Sequence, residues 1–249
     1  MAGHSKWANI KHRKSRQDAK RSQVWSKCAR AIIAAAKGGG SSPDTNLALR
    51  YAIDEAKSVN MPKETIENAV KKGAGDLGTE SYESMVYEGY GPGGIAIMLD
   101  ILTDNRNRTA PIVRKAFEKH GGNLGASGCV AYQFQSKGQV YVARQGADEE
   151  QLYAVALDAG AVDVVDDGDS WQVLSDPADF IAVRDSLQQA EFSIESGQIT
   201  MVPNTTVPCV GQDAEKVLGL IEELEDLDDV QKVYANFEIP DEQIATLEK

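Results

Sequence analysis

Between residues 140 and 202 the apolar spacing predicts strand, helix, strand, strand, helix, strand. The strands are 140–143, 162–165, 171–174 and 199–202, with helices over 149–159 and 177–189. Asp167-Gly168 between two strands is a strong hairpin signal. The β-α-β-β-α-β order is a complete ferredoxin-like set and needs no element from elsewhere. What surrounds it is incomplete. Strands at 85–90, 95–102 and 129–134 and a helix capped by Thr109 lie before it, and a helix at 214–224 and a strand at 230–237 follow. Together these supply a second set of four strands and two helices. The chain therefore reads as residues 137–202 inserted into a discontinuous domain of residues 81–136 and 203–249.

A different periodicity precedes both. Val24, Trp25, Cys28, Ile32, Ile33 and Ala36 recur at three- and four-residue spacing over 18–37, with Lys20, Lys27, Arg30 and Lys37 on the opposite face. Gly38-Gly39-Gly40 end that helix. A second helix over 44–59 is expected to bury Leu47, Tyr51, Ala52 and Ala56. A third begins at Pro62 and stops at Lys71-Lys72-Gly73. Residues 1–80 thus form a helical domain ending in a linker. The fold class is α+β: an N-terminal helical domain followed by two ferredoxin-like α/β domains, one inserted in the other.

Charge divides along the same boundary. The 249 residues have a net charge of −12, which alone argues against a nucleic-acid partner. Residues 1–37, however, hold ten Lys/Arg and one acid, Asp18, whereas residues 81–249 hold eleven Lys/Arg against thirty Asp/Glu. Such a split directs a polyanion to the head, because the body repels it. The densest run is Lys11-His12-Arg13-Lys14-Ser15-Arg16, followed by Lys20-Arg21. No acid relieves its self-repulsion, which is the footprint of a phosphate-binding surface more than of a solvated face. The candidate contacts are Lys6, Lys11, His12, Arg13, Lys14, Arg16, Lys20, Arg21, Lys27 and Arg30, with Ser5, Ser15 and Ser22 as further phosphate donors. Trp7 is a stacking residue or an anchor, and Trp25 fits the core. The loop Asp104-Asn105-Arg106-Asn107-Arg108-Thr109 is either a helix cap or a second contact through Arg106 and Arg108. The acidic run 222–229 reads as a solvated helix end, or as a dock for a basic protein.

Nothing promotes catalysis. Gly89-Tyr90-Gly91-Pro92-Gly93-Gly94 satisfies G-x-G-x-x-G, but a strand follows it, so no helix N-terminus is there to hold a pyrophosphate. A hairpin is expected. Gly125-Ala126-Ser127-Gly128-Cys129 misses the nucleophile elbow at its last position. His4, His12 and His120 have no nucleophile and orienting acid nearby in sequence. A hydrolase using Ser127 or Cys129 remains a third, separate reading. Cys28, Cys129 and Cys209 are odd in number and far apart, so no disulfide framework or zinc site is expected and a reducing compartment fits. No apolar run is long enough to span a membrane. The N-terminus lacks a secretory core, though the basic, acid-poor stretch 5–37 leaves a mitochondrial transit peptide open. The expectation is a cytoplasmic, non-enzymatic protein with no cofactor, metal or small-molecule substrate.

Several segments resemble one family. Met1-Ala2-Gly3-His4-Ser5-Lys6-Trp7-Ala8-Asn9-Ile10-Lys11-His12-Arg13-Lys14 is similar to the opening of the YebC/PmpR family. So are Tyr87-Glu88-Gly89-Tyr90-Gly91-Pro92-Gly93-Gly94, Thr103-Asp104-Asn105-Arg106-Asn107-Arg108-Thr109, Gly121-Gly122-Asn123-Leu124-Gly125 and Asp228-Asp229-Val230-Gln231-Lys232-Val233-Tyr234. They run from end to end in the family's order. The resemblance implies three domains, a helical one and two ferredoxin-like ones. It also implies a probable transcriptional regulator, some members of the family binding DNA. Mitochondrial relatives are translational activators of a cytochrome oxidase subunit, and other bacterial members help ribosomes through difficult sequences. Two functions follow: a DNA-binding transcriptional regulator, or a ribosome-associated translation factor using the same residues on ribosomal RNA. Cys129, where Ser is expected, and Ala48, where a basic residue is frequent, depart from the family pattern.

Overall fold

The computed structural model describes residues 17–75, 82–168 and 170–240, without the side chains of residues 17–20. The described residues group into two compact units, 17–129 with 212–233, and 130–211 with 234–240. The architecture is α+β, an N-terminal helical region followed by antiparallel sheets.

The first unit opens with helices α1 (Gln17–Gly39), α2 (Leu47–Ser58) and α3 (Lys63–Ala74). Ile32, Ile33 and Ala36 of α1 share a core with Leu49, Ala52, Ala56, Ile66 and Ala69. Asn46 sets the start of α2. Its side-chain oxygen accepts from Leu49 N at 3.1 Å, and its Nδ2 donates to Ala35 O and Gly40 O, both at 2.8 Å. One capping residue thus ties the end of α1 to the start of α2. Ala52 and Ala56 are buried as expected and Tyr51 is half-buried, but Leu47, at the first position after the cap, is exposed and Leu49 is buried in its place. The third helix likewise runs past Gly73. A Cβ at Gly73 would lie 2.6 Å from Ile33 O and from Ala36 Cβ, so this glycine permits close helix contact. The stop falls at Gly75, with φ 93°.

β1 (Glu83–Tyr90) and β2 (Ala96–Thr103) pair antiparallel from Glu83↔Thr103 to Tyr90↔Ala96. Between them a short 3-10 turn, Pro92–Gly94, holds Gly93 at φ 69° and Gly94 at φ 76°. The glycine-rich segment is the hairpin its following strand predicts. α4 (Arg106–Lys119), β3 (Asn123–Leu124), α7 (Gly211–Glu225) and β9 (Val230–Ala235) complete a sheet of order β3-β1-β2-β9. The strand expected at 129–134 is absent. Gly128 turns the chain at φ 86°, Gly128 N donates to Glu88 Oε1 at 2.7 Å, and Tyr90 OH donates to Cys129 O at 2.9 Å. Two β1 side chains thereby hold a bend where alternation alone suggested a strand.

The second unit holds β4 (Phe134–Ala143), α5 (Glu149–Asp158), β5 (Ala161–Asp166), β6 (Ser170–Ser175), α6 (Phe180–Gln189) and β7 (Ile194–Pro203). This is the expected β-α-β-β-α-β order, in a sheet β5-β6-β4-β7 whose neighbours are all antiparallel. Val140, Val142, Val164, Trp171 and Val173 pack against Leu152, Ala156, Val183 and Leu187. Phe134 pairs with Pro203, and just outside the sheet Asn204 N donates to Gln133 O at 2.8 Å. β8 (Val207–Pro208) and β10 (Phe237–Glu238) form a short parallel pair.

Candidate nucleic-acid interface

Lys6, Lys11, His12, Arg13, Lys14 and Arg16 lie outside the described residues. Lys20 sits in the first turn of α1, and its side chain is also outside them. Arg21 is exposed and stacks its guanidinium 4.9 Å from the Trp25 ring centroid. That contact steadies the cation. The indole Nε1 donates to Val59 O at 3.1 Å, which fixes the ring beneath it.

The next cations of α1 meet the chain itself. Gln23, Lys27 and Arg30, spaced four and three apart, fall on one helical face. Gln23 Nε2 donates to Asp226 O, Lys27 Nζ to Glu225 O and Arg30 Nη1 to Asp228 O. Arg30 also lies 3.4 Å from the Asp228 carboxylate and 3.5 Å from that of Asp229. Asp228 is 62% exposed at its side chain and Asp229 only 11%, so the second carboxylate anchors the site. Asp229 accepts from Arg108 Nη2 at 2.9 and 3.1 Å, from Thr109 Oγ1 at 2.7 Å and from Thr103 Oγ1 at 3.3 Å. Burial alone would raise its pKa. Hydrogen bonds from Arg108 and Thr109, with the charges of Arg108 and Arg30, outweigh burial and hold the carboxyl below its ordinary value. Arg108 is raised in turn, by its hydrogen bonds to Asp229 and Asp104.

The 104–109 loop is a cap as well as a source of arginine. Asn105 is the N-cap of α4 and its side chain accepts from Arg108 N at 3.1 Å, which moves the helix start ahead of the expected Thr109. Thr109 is buried on Asp229 instead. Arg106 is exposed, with no hydrogen bond or ion pair among the described residues. Arg114 and Lys115 lie on the outer face of the same helix, equally exposed. Apolar spacing along α4 does not reveal them. The signal that could have found them is five cations in fourteen residues of an acidic region. Arg30, Arg108, Thr109, Ile112, Asp228 and Asp229 also line a cavity of about 310 Å³, whose two cations already face two carboxylates.

The hydrolase reading gains no support from the geometry. Burial, then the charge of Glu88, raises the Cys129 thiol away from the reactive thiolate. His120 shares Glu223 Oε2 with Lys119, at 2.8 and 2.7 Å. Among the described residues no group of three His, Cys, Asp or Glu is placed to hold a metal ion. No helix among them is long and apolar enough to cross a membrane.

A helical head and two four-stranded sheets, with cations on α1 and α4, define a mixed α+β protein. The chain belongs to the TACO1/YebC family: residues 5–76 match the profile of its N-terminal domain and residues 82–237 that of its second and third domains. It is 52% identical over 248 residues to a "probable transcriptional regulatory protein" of Dictyoglomus thermophilum, covering 99% of this chain and 100% of that one. A protein of the same description from Geobacter sulfurreducens is 50% identical over 247 residues, with 99% and 100% coverage. Among solved structures, a conserved hypothetical protein of Aquifex aeolicus superposes with a TM-score of 0.80 at 48% identity, covering 90% of this chain and 93% of that one.

Proposed function

We propose that the protein is a non-enzymatic, nucleic-acid-binding regulator of gene expression that works in the cytoplasm and grips phosphate backbones with its basic N-terminal residues. The observation that carries this reading is the division of charge, ten Lys/Arg against one acid in residues 1–37 of a chain with a net charge of −12. The names of the relatives from Dictyoglomus and Geobacter support regulation of transcription, and hence DNA as the partner. Lys6, Lys11, His12, Arg13, Lys14, Arg16, Lys20 and Arg21 form the principal contact, with Arg106 beside them in chemistry. Lys27, Arg30 and Arg108 are partly engaged by residues 225–229 and contribute what donors remain.

A second reading is a translation factor that uses the same surface on ribosomal RNA. One observation favours it. Arg108, one of two arginines able to read bases from the 104–109 loop, is held by Asp104 and Asp229. Backbone contacts position a nucleic acid without reading its sequence. Crosslinking in cells, followed by sequencing of bound DNA and bound RNA, separates the two, since ribosomal RNA dominating the reads decides for translation.

The head itself is tested by salt. About five phosphate contacts on duplex DNA give a slope of log affinity against log salt near −4.5. Replacing Lys11, Arg13, Lys14 and Arg16 by Ala should flatten that slope by up to ~3.6, similarly across sequences. Wild-type affinity and slope in this variant would move the binding site off the head.

A further inference from the structure

Residues 81–249 hold eleven Lys/Arg against thirty acids, and five of those eleven cations fall on α4. They are Arg106, Arg108, Arg114, Lys115 and Lys119, and Glu118 is the one acid among them. Elsewhere in the same stretch, Lys137 pairs with Asp176, Arg144 with Asp166, Arg184 with Asp185 and Lys232 with Glu55, while Lys216 stands alone on α7, exposed and without an ion pair among the described residues. On α4 itself Arg108 pairs with Asp104 and Asp229, and Lys119 with Glu223. Arg106, Arg114 and Lys115 have no such partner among the described residues, and all three are exposed. Thr109, Val113, Ala116 and Phe117 bury one face of the helix, so packing turns Arg114 and Lys115 outward, while Arg106 is exposed at the N-terminal end of the buried stripe.

Stability does not account for this placement. The first turn of α4 holds two arginines and no acid. The partial positive charge of a helix N-terminus disfavours cations there. Asp104 and Asp229 offset Arg108, and no carboxylate among the described residues pairs with Arg106. A local positive patch on a strongly acidic surface is complementary to a polyanion and sets where that polyanion can approach. From Arg106 to Lys115 the helix rises ~13 Å, enough to reach more than one phosphate.

We infer that α4, through Arg114 and Lys115 on its outer face and Arg106 at its N-terminal end, is a second contact for the sugar-phosphate backbone of a nucleic acid. This rests on the nucleic-acid reading above and extends it beyond the N-terminal residues. Backbone contact at two separate places orients the protein on its target as well as holding it. DNA and RNA share the phosphate chemistry, so both are used as probes.

The experiment titrates the full-length protein into a fluorescently labelled short DNA duplex and, separately, a labelled RNA stem-loop, each over a series of salt concentrations. The helix variant carries Arg114→Ala and Lys115→Ala, and a like-charge control carries Arg114→Lys and Lys115→Arg. On the duplex the helix variant should flatten the salt slope by ~1.8, the effect of removing two phosphate-neutralising cations, and weaken binding more than tenfold near ~0.1 M salt. The melting temperature should stay at the wild-type value, and the like-charge control should bind as wild type. Loss on one probe only identifies which nucleic acid the helix serves. Wild-type affinity and slope on both probes would overturn the inference. The four-residue head variant is run alongside. If it loses binding while the helix variant does not, the inference about α4 fails alone. If the reverse holds, the head reading fails and α4 stands, and failure of the wild-type protein to bind either probe overturns both.

Discussion

The two four-stranded sheets use the same inventory, four strands and two helices, and close in opposite ways. β5-β6-β4-β7 draws every strand from one contiguous stretch, and α5 and α6 come from the turns between. Its core is local and almost wholly apolar. β3-β1-β2-β9 lacks its second helix and fourth strand until the chain returns at Gly211. The returning strand brings charge with it. Asp229 precedes β9, its carbonyl accepts from Leu102 N at 2.8 Å, and its carboxylate meets Arg108, Thr109 and Arg30. A strand that arrives late thus carries a polar key at its start, bonded to α1, β2 and α4. The Asp229 side chain is 11% exposed but that of Arg108 is 47% exposed, so solvent screens the ion pair and its own contribution to stability is small. The contiguous sheet has no need of such a key.

The sharpest way to break this comparison is to cut the chain. We propose that residues 130–211 fold alone, while residues 82–129, deprived of α7 and β9, do not. Thermal unfolding followed by circular dichroism should give a cooperative transition for the first fragment and none for the second. A cooperative transition in 82–129 would mean that closure from a distance is dispensable.

Next in size is the polar key. Asp229→Ala leaves the buried Thr103 and Thr109 hydroxyls without their shared acceptor and should cost about 1–3 kcal/mol in urea unfolding. The exposed Asp166–Arg144 pair of the contiguous unit is screened by solvent, and Asp166→Ala should shift the unfolding midpoint far less. Equal losses would erase the distinction between the sheets.

Acid should reveal the same asymmetry more gently. The Asp229 carboxyl is held below its ordinary value of 3.8, so its folded pKa is depressed relative to the unfolded chain. A depressed carboxylate contributes stability that is fully present above about pH 4 and is lost as pH falls through the folded value. The stability gap between wild type and Asp229→Asn should therefore be constant above about pH 5 and narrow below about pH 4. A gap that does not change with pH would assign the loss to packing alone.

The smallest effect concerns Arg30, which reaches residues 228 and 229 from α1. Arg30→Ala should lower stability by about 1 kcal/mol, the worth of a hydrogen bond to a charged partner that is only partly buried. It should change the salt slope of DNA binding by less than the increment of a single phosphate, about 0.9. A change as large as that increment would show that a polyanion displaces the 225–229 segment from Arg30.

What could be read from the sequence was periodic, and what could not was set by single contacts. The β-α-β-β-α-β order came through because its apolar alternation reflects a local core: Val140, Val142, Val164 and Trp171 all face inward as their spacing requires. The α1 face came through for the same reason at Cys28, Ile32, Ile33 and Ala36, whereas Val24 is exposed. The start of α2 was misplaced because Asn46, not the apolar pattern, decides it. The end of α3 was misplaced because Gly73 serves helix contact and Gly75 the turn, and two nearby glycines look alike in a sequence. The bend at Gly128 depends on Glu88, forty residues away in the chain. The candidate site divides in the same way. Clustered cations were visible as composition and the Asp104–Arg108 pair is local, whereas the residues 225–229 that engage Lys27, Arg30 and Arg108 sit some 120 to 200 residues further along, and no local pattern announces them.

The join between Gln133 and Asn204 has a consequence for how such a chain can be rebuilt. The stretch 134–203 begins and ends one hydrogen bond apart, 2.8 Å from Asn204 N to Gln133 O, so its ends are neighbours for the rest of the chain that hosts it. To the host it is a closed loop, and loop-closure entropy rises only by ~0.6 kcal/mol for each doubling of length. The junction is therefore a socket, indifferent to the size of what it carries provided the cargo brings its own core and neighbouring ends. Replacing residues 134–203 by a short turn should leave the host able to close, and an unrelated domain with adjacent termini should be accepted in their place.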